Sequence, residues 1–181
     1  MKELWYLSRG TGVVSLALLT LVLVLGVLTR SARPLPGLPR FVTAGLHRNA
    51  SLLAVGFLAV HVSTAVVDPY AMTGLVDVVV PFHGGYRPLW VGLGTLALDL
   101  LLALTATSLL RGRLSHRAWR TVHWAAYACW PLAVLHGLGA GTDVFTSWSR
   151  AITLSCVLAV AAAVGWRTSS PVFANPQGAS R

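Results

Sequence analysis

HRNASLLAVGFLAVH, residues 47–61, begins and ends on histidine and holds an unbroken apolar run from Leu52 to Val60. A second stretch, HWAAYACWPLAVLH at 123–136, repeats the arrangement. Thirteen residues separate His47 from His61, and twelve separate His123 from His136. At a rise of about 1.5 Å per residue each pair spans roughly 20 Å of helix axis, most of an apolar bilayer core of about 30 Å. Ionisable side chains are rare at such depths, and those that occur are mostly functional.

The rest of the chain fits the same solvent. Of 181 residues 55% are hydrophobic and 10% charged, and the mean hydropathy is +0.70. A soluble domain carries about 25% charged residues. Five segments are long and apolar enough to cross a bilayer: 11–29, 46–67, 88–110, 119–139 and 148–166. This predicts an all-α, polytopic membrane bundle of about five transmembrane helices. Residues 1–10 read as a short extracytoplasmic N-terminus, 11–166 as one membrane domain and 167–181 as a disordered cytoplasmic tail. The first apolar stretch is long for a cleaved signal peptide, and no A-x-A-like site follows it.

The net charge of +9 would suggest nucleic acid in a soluble protein. Here the basic residues punctuate apolar runs and read as topology signals, so no nucleic-acid partner is expected. Arg30, Arg33, Arg40, Arg48, Arg111, Arg113, Arg117, Arg120, Arg167 and Arg181 fall at one end of the bundle, with no acid among them. Lys2, Arg9, Arg87 and Arg150 share the other end with Glu3, Asp68, Asp77 and Asp143. The positive-inside rule then places the N-terminus outside and the C-terminus in the cytoplasm of a multi-pass plasma-membrane protein.

The two histidine-bearing helices run in the same direction, because one helix and two gaps lie between them. His47 and His123 therefore share the inner level, and His61 and His136 the outer one. Two levels, each with two imidazoles on separate helices, suit two bis-histidine haems, whose irons have no open position for oxygen and favour electron transfer. Fourteen steps of about 100° leave His47 and His61 about 40° apart on the helix wheel. Thirteen steps leave His123 and His136 about 140° apart, with Pro131 between them to distort the helix. Covalent c-type attachment is not supported, since no C-x-x-C-H occurs. Cys129 and Cys156 lie in apolar runs and suggest neither a disulfide nor a zinc site. Metal transport is disfavoured because Asp99 is the one carboxylate well inside a helix.

H-x13-H on one helix with H-x12-H on the next but one resembles the ferric reductase-like transmembrane domain. That family includes NADPH oxidases, eukaryotic ferric reductases and the haem-bearing membrane subunit of a bacterial methionine sulfoxide reductase. The resemblance covers about residues 10–166. It implies two non-covalent haem b groups, one on His47 and His123 and one on His61 and His136. It also implies the membrane electron-transfer subunit of an oxidoreductase, with no catalytic residue of its own. Two features depart from the NADPH-using members: five helices rather than six, and no Gly-rich nucleotide motif in the roughly fifteen residues after the last helix. FAD and NADPH binding are therefore not expected, and FMN or quinone binding has no support in the residues. Stand-alone members imply a separate donor, a flavoprotein or a quinol, and an extracytoplasmic acceptor.

Several further residues carry secondary expectations. Arg48 follows His47, and Arg117 and Arg120 lie within two turns of His123, where guanidinium groups could hold inner haem propionates or simply anchor topology. Arg87 stands outside near the outer level. Trp90, Trp124 and Trp148 fit an aromatic belt. Phe57, Tyr127 and Trp130 fall between the two levels, where they could shorten an electron's path or simply pack, and Gly56 offers either a bare surface to a flat macrocycle or a close helix contact. Asp99 reads as a protonated or hydrogen-bonded group facing the bundle, and His83 and His116 as solvated gap residues. Two other function classes stay open on the residues alone. One is a cofactor-free membrane scaffold or transporter accessory subunit; the other is a quinol oxidoreductase of a different cytochrome b type.

Overall fold

The computed structural model describes residues 2–29, 37, 39–69 and 71–169. All regular elements among them are helical: α1 (Lys2–Thr29), α2 (Arg40–Val67), α3 (Leu75–Val79), α4 (Pro88–Leu109), α5 (His116–His123), α6 (Ala126–Ala140) and α7 (Ser147–Thr168). A 3₁₀ turn at Arg111–Arg113 links α4 to α5. The residues at 30–36 and 170–181, including Arg30, Arg33, Arg181 and nearly all of the expected tail, lie outside the described residues.

Four helices, α1, α2, α4 and α7, are each long and apolar enough to cross a membrane. The fourth expected span, 119–139, is divided between α5 and α6. Two other spans are longer than the hydropathy suggests. α1 starts at Lys2, so the residues read as a lead form its first turns, and α2 starts at Arg40. Lipid offers no partner to backbone or hydroxyl groups, so helices are the economical solution and their polar side chains turn inward on themselves. Thr20, Thr64, Thr105 and Thr107 each donate to the carbonyl four residues back, at 2.7–2.8 Å.

α1 is the hub. It packs against α2, α6 and α7, while α6 packs in turn on α4, and α3 leans on α4. No comparably close packing joins α2 directly to α4 or α6 among the described residues. The waist of the bundle is an apolar cluster of Ala97, Leu101, Leu104 and Cys129, flanked by Leu19 and Leu58. The Cys129 thiol donates to the Ala97 carbonyl at 3.3 Å, and the Trp130 indole N–H donates to Thr20 Oγ1 at 2.9 Å. These contacts tie α6 to α4 and to α1 at mid-depth.

The distortion of the fourth expected helix lies upstream of its proline. α6 runs through Pro131, and the break falls at Trp124 and Ala125. Proline cannot donate to the carbonyl of Tyr127, four residues back, and its ring crowds that carbonyl. The turn before it winds tighter: Ala125 N–H bonds to Val122, Tyr127 to Trp124 and Ala128 to Ala125, all three residues back at 2.9–3.1 Å. A 3₁₀ step turns about 120° instead of about 100°, so three or four such steps supply roughly 60–80° of rotation. That rotation carries His136 toward the face of His123 and closes about half of the mismatch on an ideal helix wheel.

Candidate functional site

The four intramembrane histidines meet in pairs. The ring centres of His47 and His123 are 6.3 Å apart with their planes at 70°. Those of His61 and His136 are also 6.3 Å apart, with planes at 77°. Each pair opens on its own cavity, about 650 Å³ around His47 and His123 and about 510 Å³ around His61 and His136. Both sizes lie in the range of about 300–1,000 Å³ usual for cofactor pockets. Leu19 and Leu101 line both cavities, so the apolar waist is the wall between them.

Backbone carbonyls orient three of the rings. His47 Nδ1 donates to Val22 O at 2.9 Å, His61 Nδ1 to Ser8 O at 2.8 Å and His136 Nδ1 to Trp90 O at 2.9 Å. A carbonyl oxygen only accepts, so each Nδ1 carries a proton, and in the neutral ring Nε2 carries the lone pair. This is the tautomer and the outer support that metal-ligating histidines use. His123 is held differently, stacked on the Trp119 indole with ring centres 4.7 Å apart and planes at 21°.

Glycines make room behind these rings. A Cβ on Gly12 would stand 2.9 Å from the His61 ring, and one on Gly26 would stand 3.3 Å from that of His47. A Cβ on Gly94 would stand 2.5 Å from His136 Nδ1. Gly12 and Gly26 on α1 have the same fourteen-residue spacing as His61 and His47 on the antiparallel α2. That matched spacing was the sequence signal available for the seats, and the expectation attached to Gly56 fell on the wrong glycine. Gly56 is exposed, has nothing within 4 Å of a Cβ position and lines neither cavity.

The charged residues sort by end. Arg48 and Arg120 line the inner cavity, joined by Arg111 and Arg167, which sequence reasoning passed over. Arg117 does not line it. At the outer cavity the lining cation is Arg9, ion-paired with Asp143 of the α6–α7 loop. Arg87 instead donates from Nη1 to the Gly139 carbonyl at 2.6 Å and lines neither cavity. Of the aromatic residues placed between the levels, Tyr127 and Trp130 line the inner cavity and Phe57 lines neither. Trp90 packs its indole on Gly139 and supplies the carbonyl for His136. Asp99 is partly exposed on α4 and lines neither cavity.

Outside the spans, Asp77 gathers the α2–α4 loop. Its carboxylate accepts from Gly74 N–H at 2.8 Å and from His83 Nδ1 at 3.1 Å, and its carbonyl accepts from Thr95 Oγ1 at 2.7 Å. The Gly74 N–H and then His83 hold the Asp77 carboxyl below its ordinary value. His83 is thus tied to the loop and not merely solvated. Among the described residues no group of three or more His, Cys, Asp or Glu side chains converges on one point, so the donor sets on offer are pairs.

Residues 11–138 match the family described as ferric reductase like transmembrane component, a span that holds all four paired histidines. The chain belongs to that family. No match was found among curated proteins or among solved structures. Ferric reductase-like domains generally bind haem and transfer electrons within the membrane with separate redox partners. This ferric reductase-like chain is accordingly a multi-pass membrane protein of that electron-transfer class.

Proposed function

We propose that this protein carries electrons across the bilayer through two b-type haems, His47 and His123 holding the inner iron and His61 and His136 the outer one. The observation that carries the reading is the 6.3 Å between ring centres at both levels. Metal–imidazole bonds of about 2.0 Å, with each ring centre roughly 1.1–1.2 Å behind its nitrogen, put the centres of two opposed axial rings at about 6.3 Å. Two nitrogens alone are a poor set for a bare cation, whereas an iron porphyrin brings four nitrogens and lacks two. When bound, each haem supplies a one-electron couple without an open position on iron.

The chain's own residues do the rest. The carbonyls of Val22, Ser8 and Trp90 hold Nε2 of three ligands ready, and Gly12, Gly26 and Gly94 leave the rings their seats. Arg48 and Arg120, with Arg111 and Arg167, offer the inner cavity guanidinium groups for propionates, and Arg9 offers one to the outer cavity. Leu19 and Leu101 keep water out of the wall between the two levels. The arginine-rich end faces the cytoplasm, where a separate flavoprotein or quinol is oxidised, and an acceptor is reduced outside. Haem content tests the assignment: two per chain in the purified protein, and one in each single His→Ala variant. Identical content in His47→Ala and wild type would refute it.

A further inference from the structure

α5 carries three rings in a column. His116 lies at its exposed start, Trp119 is 8% exposed inside the bundle, and His123 reaches the inner cavity. The ring centres are 6.0 Å apart between His116 and Trp119 and 4.7 Å apart between Trp119 and His123. The planes of His116 and Trp119 are tilted at 33°, and those of Trp119 and His123 stack at 21°. Arg111 sets its guanidinium 4.4 Å from the centre of the Trp119 ring, a cation–π contact that holds the indole in place. The three, four and seven-residue intervals within 116–123 put all three rings on one helix face. Packing α5 against α4 alone requires none of this; an apolar aliphatic residue at 119 would serve.

The surface around the column is uniformly cationic. Arg113, Arg117 and Arg120 are exposed beside His116, and the residues described at this end of the bundle include no carboxylate. Arg113 and Arg117 line neither cavity, so their charge faces outward. Positive charge of this density anchors topology, yet it also steers an anionic partner and fixes its orientation. A lipid headgroup has no use for a ring column that ends at an axial ligand, whereas a redox protein does.

The geometry points to α5 as an electron-entry port: an acidic-surfaced, soluble flavoprotein docks on Arg113, Arg117 and His116, and its electron reaches the inner level along Trp119 and His123. The inference rests on the haem assignment made above. One electron leaves the reduced donor and takes the inner iron from Fe(III) to Fe(II), and no bond or proton is exchanged. Close aromatic contacts matter here because electronic coupling falls steeply with each gap between atoms that are not in contact. The docking charges set how often the donor arrives, and the rings set how fast the electron crosses once it has.

The test uses the haem-loaded protein in detergent with flavodoxin, a small flavoprotein of strongly acidic surface, as the probe. Haem stoichiometry is read first, so that a protein without haem refutes the assignment and not the port. Flavodoxin binding should weaken steeply between low and high salt, and an Arg113→Glu/Arg117→Glu variant should bind about tenfold more weakly at low salt. Trp119→Leu should bind flavodoxin as wild type does and keep the inner haem's content and low-spin spectrum, which separates loss of the ring stacked on His123 from loss of the relay, but accept flavodoxin's electron several times more slowly, with Trp119→Phe restoring the rate. Reduction by photoreduced lumiflavin, which has no acidic protein surface to dock, should be unchanged in the arginine variant. Binding that ignores both salt and charge reversal, or electron entry in Trp119→Leu as fast as in wild type, would overturn the port.

Discussion

At the scale of single residues, the account turns on which imidazole nitrogen carries a proton and on what stands behind each ring. Glycine seats make this testable without touching a ligand. A methyl group at Gly12 or Gly94 meets the His61 or His136 ring at 2.9 or 2.5 Å. Overpacking of this kind costs about 1–3 kcal/mol, and here it falls on the ring that must stay aligned. Gly12→Ala and Gly94→Ala should each lose outer haem while keeping the inner one, measured as haem per chain by pyridine haemochrome. Gly56→Ala, with open space around its Cβ, should retain both. The histidines were legible from spacing alone, because two pairs at nearly equal intervals on like-directed helices leave few other arrangements. Their supports were less so: a carbonyl acceptor such as Ser8 or Trp90 has no residue-type signature, and Arg9 became visible only once α1 extended back to Lys2.

At the scale of elements, the segment from His116 to Ala140 shows how a local rule is met in an unexpected place. A proline inside an apolar helix predicts a distortion, but not where the chain will absorb it. Here the tight turn at 122–128 takes the strain, and α6 continues through Pro131. Pro131→Ala restores a donor for the Tyr127 carbonyl and removes the reason for the 3₁₀ winding. The expected result is a rotated His136 and a change in the electron paramagnetic resonance g-values of one haem, with the other unaltered. The α2–α4 loop offers a second check. Because the Asp77 carboxyl is held below its ordinary value of 3.8, its hydrogen bonds to Gly74 and His83 support the loop above about pH 4. That support is lost as the pH falls through the lowered value. Protection of the amides at residues 74–85, taken relative to their intrinsic exchange rates, should fall on acidification well below pH 4, and Asp77→Asn should show the lower protection already at pH 7.

At the scale of the whole molecule, two cavities share a wall of Leu19 and Leu101, and the proposed function makes them a path from one end of the bundle to the other. The orientation proposed for that path rests on the charge distribution: arginines without acids at one end, and mixed charges with Asp77 and Asp143 at the other. Reporter fusions should place residue 2 outside and the Arg111–Arg120 segment in the cytoplasm; the reverse result would invert every statement about donor and acceptor sides. The fold class was readable from hydropathy because a run of about 20 apolar residues satisfies its own backbone in lipid as a helix. Helix neighbours were not, since packing in lipid depends on small-residue contacts such as Gly12 and Gly26 rather than on an amphipathic pattern.

The central claim is that both irons are closed on both faces by histidine. Electron paramagnetic resonance of the oxidised protein, followed by carbon monoxide addition to the dithionite-reduced form, tests it most directly. The account predicts two low-spin ferric signals of equal weight and no carbon monoxide adduct. A high-spin signal with a carbon monoxide complex at either level would contradict it.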